Sequence, residues 1–186
     1  LVIGGGFIFL GSTNDFGFSR RDWILITDFQ NATGESVFDR SLNNALAIGL
    51  EQSNHLNVFP KTRVAETLQR MLREDTGVID EELGGEISRR ENLAVLVVPT
   101  IDKVGSTYML GIRMIDPLTG EDVLSRSMRA DGPDEVLPTL DRLARRLRRD
   151  LGESLYSVTR QSVPLGQATT PSLEALEAWS EGQFHW

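Results

Sequence analysis

Three carboxylates in the first third of the chain, Asp28, Asp39 and Glu51, are the residues whose type and spacing come nearest to doing chemistry. Asp28 lies in the run Trp23-Ile-Leu-Ile-Thr-Asp-Phe29 and precedes the turn Asn31-Ala-Thr-Gly34. That is the place where open α/β sheets hold ligands, just beyond the carboxyl ends of their strands. Asp28, Asn31 and Thr33 are therefore a candidate ligand pocket. The same residue types are ordinary turn and helix-start formers, and structural capping explains them more economically. Asp80-Glu81-Glu82 reads as a helix N-terminus carrying favourable negative charge, without calcium-loop spacing.

The other reactive residues do not assemble into a catalytic pattern. His55 and His185 are the only histidines, and neither stands in an H-x-x-x-H or H-E-x-x-H arrangement. The serines lack a G-x-S-x-G elbow, and Gly4-Gly-Gly6 lacks the Lys-Ser/Thr that follows in a phosphate loop. The absence of cysteine excludes disulfides, thiolate metal sites and cysteine nucleophiles, and leaves the compartment open. No catalytic residue, metal site or cofactor is expected, and the chain reads as a non-enzyme. A net charge of -8 disfavours nucleic acid as a partner, because such a surface needs a concentrated positive field.

The elements that would position these residues form an α/β pattern. The β-prone run 23–29 is apolar at nearly every position, as expected of a strand buried on both faces. A helix over 38–52 places Leu42, Ala45, Leu46, Gly49 and Leu50 on one stripe, and a short strand follows at 56–59. Strand, helix and strand make a βαβ unit with parallel strands. Pro60 and Thr62 introduce a helix with Val64, Leu68, Met71 and Leu72 inward, and 80–90 supplies another.

From Leu93 the hydrophobic period changes to two. Strands are expected at 94–101, 108–115 and 123–129, with a hairpin turn at 116–120, as an antiparallel meander extending the parallel pair into a mixed five-stranded sheet. A helix over 134–151 turns Val136, Leu140, Leu143, Leu147 and Leu151 inward and carries Arg142, Arg145, Arg146, Arg148 and Arg149 outside. Residues 161–169 read as a linker, and Thr170-Pro171-Ser172 caps a last helix.

The uncharged segment at residues 1–10 points to a membrane. As a helix it rises about 15 Å, half of the ~30 Å hydrocarbon thickness. We read Leu1, Val2, Ile3, Phe7, Ile8, Phe9 and Leu10 as the end of a transmembrane helix, followed by a juxtamembrane linker at 11–22; a signal-peptide core or a buried strand are the alternatives. The chain is expected to be part of a longer polypeptide. Arg20 and Arg21 favour a cytoplasmic flank, although two charges on one side do not decide orientation.

The stretch 24–34 with Phe38-Asp39, Leu50-Glu-Gln-Ser53 and Leu56-Asn-Val-Phe59 resembles a domain of bacterial membrane-anchored tetratricopeptide-repeat proteins. Gln167-Ala-Thr-Thr-Pro-Ser-Leu-Glu-Ala-Leu176, with Trp179, Gly182 and Trp186, resembles the junction where their first repeat begins. The core from 23 to 160 is also similar to the amino-terminal domain of TolB and to the flagellar protein FlgO. The resemblance implies a mixed α/β interaction domain on the periplasmic side of the bacterial inner membrane. Its implied role is a scaffold whose partners are subunits of a membrane-protein complex and, through the N-terminal segment, the bilayer. A photosynthetic reaction-centre and antenna assembly is one such complex, though no residue forms a recognisable pigment site. Phe16, Phe18, Phe184 and Trp186 are candidate partner contacts. The alternative is a ligand-sensing domain of a transmembrane receptor, using the loop after Phe29.

Overall fold

The computed structural model describes residues 21–73 and 77–169, together with Ala175 and Ala178. Its centre is a mixed sheet in the order β3-β1-β4-β5-β6, with a two-residue β2 paired beside β4. β1 (Asp22–Ile26) runs parallel to β3 (Leu56–Val58) on one side and to β4 (Val95–Val104) on the other. β5 (Thr107–Ile115) and β6 (Asp122–Ala130) continue antiparallel to β4. The expected βαβ unit and meander are both present. The sheet has six strands where five were expected, because β2 (Gln30–Asn31), which overlaps the expected turn at Asn31, pairs with Thr100 and Ile101.

That small strand has a physical cause. Pro99 lies inside β4 and has no N–H to donate. The neighbouring strand is interrupted beside it: β1 stops opposite Val97, and β2 resumes opposite Thr100. Residues 27–29 cross the gap, and this crossing carries Asp28.

Side-chain alternation along the strands builds two cores. Ile24, Val95 and Val97 face α1 (Val37–Glu51) and α4 (Val136–Asp150), which join Phe38, Leu42, Leu46, Leu140, Leu143 and Leu147 in one buried cluster. Leu25, Leu96 and Val98 face the opposite way, onto α2 (Lys61–Arg70) and α3 (Glu81–Arg90). The expectation of burial on both faces therefore holds for Ile24 and Leu25. Trp23 remains 38% exposed at the strand's start, flanked edge-on by Phe59 and capped by the Arg63 guanidinium. Leu72, expected to continue the buried stripe of α2, is 94% exposed. The helix ends at Arg70, and Leu72 adopts a left-handed backbone with φ of 54°, which breaks the helical spacing.

Two further expectations change after β6. The stretch 161–169, read as a linker, contains the end of α5 (Leu155–Gln161) and the short α6 (Leu165–Ala168), whose Leu165 is fully buried in the main core. Gly49 permits this contact: a Cβ there would stand 3.2 Å from the Ala144 Cβ and 3.4 Å from Leu165 Cδ2. Among the arginines expected on the outer face of α4, Arg148 is buried instead. No helix among the described residues is long and apolar enough to cross a membrane. The segment 1–10, the linker residues before Arg21, Gly4 to Gly6 and the expected repeat segment from 170 on, apart from helical Ala175 and Ala178, lie outside the described residues.

Candidate functional site

The carboxyl ends of β1 and β3 open into a small cleft continuous with solvent. Asp28, Asn43, Glu51 and Lys61 supply its polar lining, and Phe59 and Ile79 part of its apolar wall. The strand order makes this a topological switch point, since the chain leaves β1 toward β3 on one side and returns to β4 on the other. The position is the one expected from sequence; the chemistry within it differs.

Both carboxylate oxygens of Asp28 accept hydrogen bonds from within the protein. Its Oδ2 accepts the Ile79 N–H at 2.7 Å, and its Oδ1 accepts from the Asn43 side chain. Asn43 in turn accepts the Phe29 N–H at 2.9 Å. The backbone closes the same link, with the Asp28 N–H donating to the Ile79 carbonyl at 2.8 Å. Asp28 thus ties the β1 exit to the segment that leads into α3 and to α1.

Asn31 and Thr33 do not line the cleft. Asn31 Oδ1 accepts from the Thr33 N–H at 2.9 Å and from its hydroxyl at 2.6 Å, while Asn31 Nδ2 donates to the Glu35 carbonyl and to Asp39. This is an Asx turn leading into α1. Asp39 is therefore a partner of Asn31, and Glu51 alone of the other carboxylates reaches the cleft with Asp28. Although Glu51 is exposed as a residue, lost solvation at its carboxyl raises its pKa above the ordinary value.

Glu35, at the end of the same turn, accepts from Lys103 and from the Tyr108 hydroxyl at 2.9 Å. The Lys103 hydrogen bond is the main reason its carboxyl lies below the usual range, with burial opposing and Tyr108 assisting. Asp80 caps α3 by accepting the Leu83 N–H at 2.8 Å, as its sequence position suggested. His55 sits in the turn before β3, where its N–H donates to Ser53. His185 lies outside the described residues, as do Phe16, Phe18, Phe184 and Trp186. Among the described residues, no group of three His, Cys, Asp or Glu side chains converges on a point that could hold a metal.

The most heavily bonded polar centre was missed by sequence reasoning. Arg148 Nε donates to Glu153 Oε2 at 2.8 Å and its NH2 to Oε1 at 2.9 Å, with the two side chains 1% and 2% exposed. Ser53 and Ser157 donate to the same carboxylate at 2.6 and 2.7 Å, and Arg148 also reaches Ser162 and the Gln52 carbonyl. Burial pushes the Glu153 carboxyl up, but hydrogen bonds from Arg148, Ser53 and Ser157 outweigh it and bring the pKa down to about 2. The available signal was spacing: Arg148 follows Leu140, Ala144 and Leu147 on the buried face of α4.

The outside of the domain carries isolated apolar side chains, with Val104, Leu118, Leu155 and Tyr156 all well exposed. β6 forms a nine-residue strand at the sheet's edge.

No known protein-family model matches the chain, and no characterised protein matches it in sequence. Solved structures do resemble it. The LpoB C-terminal domain from Salmonella enterica is similar over 62% of this chain and 86% of that one, with a TM-score of 0.50 at 14% identity. Lipoprotein GNA1162 from Neisseria meningitidis is similar over 72% of this chain and 99% of its own, with a TM-score of 0.47 at 17% identity. TolB from Acinetobacter baumannii is similar over 76% of this chain and 29% of its own, with a TM-score of 0.44 at 11% identity. At these identities the likeness is one of fold. The LpoB similarity, at a TM-score of 0.50, supports the mixed α/β architecture.

Proposed function

We propose that this chain is a non-enzymatic protein-interaction module of the bacterial cell envelope, held at the bilayer surface by residues 1–10 and continuing from 170 into a helical repeat. One observation carries the interaction reading. At the sheet end where an α/β protein would present free polar groups to a substrate, Asp28 and Asn43 are bonded to the protein itself. The edge strand β6 and the apolar side chains Leu155 and Tyr156 face outward. Such a molecule has more to offer a protein surface than a reacting small molecule.

The LpoB likeness supports the architecture and is silent on activity. The envelope setting rests on the uncharged N-terminal segment and on the sequence resemblance. In this reading residues 23–160 together with the buried α6 form the interaction domain, the chain from 170 leads into the repeat, and the anchor raises the effective concentration near membrane partners. The partners are subunits of a larger membrane complex. A photosynthetic assembly is one setting among several, and no residue of the structure favours it.

The test is purification of the full-length protein from its native membrane in mild detergent, with mass spectrometry of the intact complex and of any retained small molecule. A stoichiometric protein partner is expected. An isolated chain carrying a small molecule would replace this reading with ligand sensing at the Asp28 cleft.

A further inference from the structure

We propose that the groove between α4 and α5 docks an acidic, amphipathic peptide segment of a partner protein; this deepens the interaction-module reading and rests on it. The groove is shallow and open to solvent. Arg142, Arg145 and Arg149 line it from α4, and Met128, Leu155 and Val158 provide apolar surface from β6 and α5. The three arginines lie at i, i+3 and i+7, so they share one face of the helix. No Asp or Glu is among the described residues that line the groove.

Their charge is incompletely answered within the chain. The Arg149 guanidinium is exposed and has no hydrogen-bond or ion-pair partner among the described residues. Arg145 reaches Asp141 through one terminal nitrogen, while its Nε is buried with no partner. Arg142 donates to Thr139 at 2.7 Å and stands 3.7 Å from Glu135. Asp150, the last residue of α4, pairs with Arg126. Of the five arginines of α4, Arg148 is buried against Glu153, and Arg142, Arg145 and Arg149 give this face its local positive charge within a chain of net charge -8.

The complementary ligand has carboxylates spaced to meet successive arginines and apolar side chains between them to cover Leu155, which is 66% exposed, and Met128. A peptide supplies both on one narrow element. A membrane or nucleic-acid surface is broad and would bring its charge against the acidic remainder of the chain, whereas a narrow peptide meets only the arginine-lined groove.

The probe is a fluorescein-labelled peptide of Glu and Leu at helical spacing, titrated with the full chain by anisotropy at low and high salt. Binding is expected, weaker at high salt, and about tenfold weaker in Arg149→Glu and in Leu155→Ser, both exposed positions that should leave thermal unfolding unchanged. Arg90→Glu, on a helix across the sheet, should bind like the parent. The proposal is overturned by absent binding, by equal affinity in Arg149→Glu, or by a Glu-Ser peptide binding as tightly. It is equally overturned if vesicles of phosphatidylcholine and phosphatidylglycerol bind through the same arginines and the peptide does not. Loss of peptide binding alongside a co-purifying native partner refutes the groove alone; absence of any partner refutes the module reading.

Discussion

Arg148 and Glu153 form a two-point ion pair, 2.8 and 2.9 Å, sealed from solvent between the end of α4, the start of α5 and the turn after α1. A pair in this setting is strongly coupled, because removing either member leaves the other buried without its counter-charge. Arg148→Met and Glu153→Leu are each expected to lower unfolding stability by about 3 kcal/mol in urea titration. The combined Arg148→Met/Glu153→Leu variant should lose clearly less than the sum of the two single changes. Additive losses would mean that the two side chains contribute independently.

The same carboxyl sets an acid limit. Its folded pKa of about 2 lies below the ordinary 4.5, so the unfolded chain binds its proton first as pH falls. The pair's contribution is therefore fully present above about pH 4.5 and is lost as pH falls from there toward 2, a change of roughly 3 kcal/mol. Glu35, also lowered, adds a smaller effect of the same sign. Unfolding free energy measured from pH 6 down to acid is expected to fall steeply across that window in the parent and more gently in Glu153→Gln. Parallel curves would show that other carboxylates govern acid unfolding.

Asp28 occupies the sequence position of a ligand-binding residue and makes the contacts of a structural one. In Asp28→Ala the Ile79 N–H and the Asn43 amide lose their acceptor, at a cost of about 1–3 kcal/mol. Amide hydrogen exchange should speed up at Ile79 and Phe29, while co-purification of a protein partner should persist. Selective loss of a bound small molecule, with stability unchanged, would return Asp28 to the candidate ligand pocket.

The elements were legible in the sequence wherever periodicity was strong. The stripe of α1, the parallel pair and the meander from Val95 onward follow from side-chain spacing that the sheet then uses on both faces. Asp28 was correctly placed at the end of β1, but its partner Ile79 lies 51 residues away, and no local pattern reports that contact. The buried role of Arg148 was hidden by its neighbours: Arg145, Arg146 and Arg149 share its residue type, and a run of arginines on an amphipathic helix ordinarily marks the solvated face. Only rotation around the helix axis separates it from them. β2 depends on a break beside Pro99, which a strand pattern read one segment at a time does not contain.

Leu165 tests where the folded core ends. Its neighbours in sequence, Pro164, Gly166 and Gln167, gave the stretch the composition of a linker, yet its side chain is fully buried beside Gly49 and close to α4. Leu165→Ala should cost about 2–5 kcal/mol by leaving a cavity between α1 and α4. Gly49→Leu should cost about 1–3 kcal/mol by overpacking the same contact, since the new side chain meets Ala144 and Leu165 at once. Thermal unfolding of the two single variants and their combination checks this: in Gly49→Leu/Leu165→Ala the added leucine has the vacated space to enter, so the combined loss is expected to be smaller than the sum. A Leu165→Ala variant with parental stability would place the boundary of the core before α6 and leave 165–168 as a tether toward the following helix.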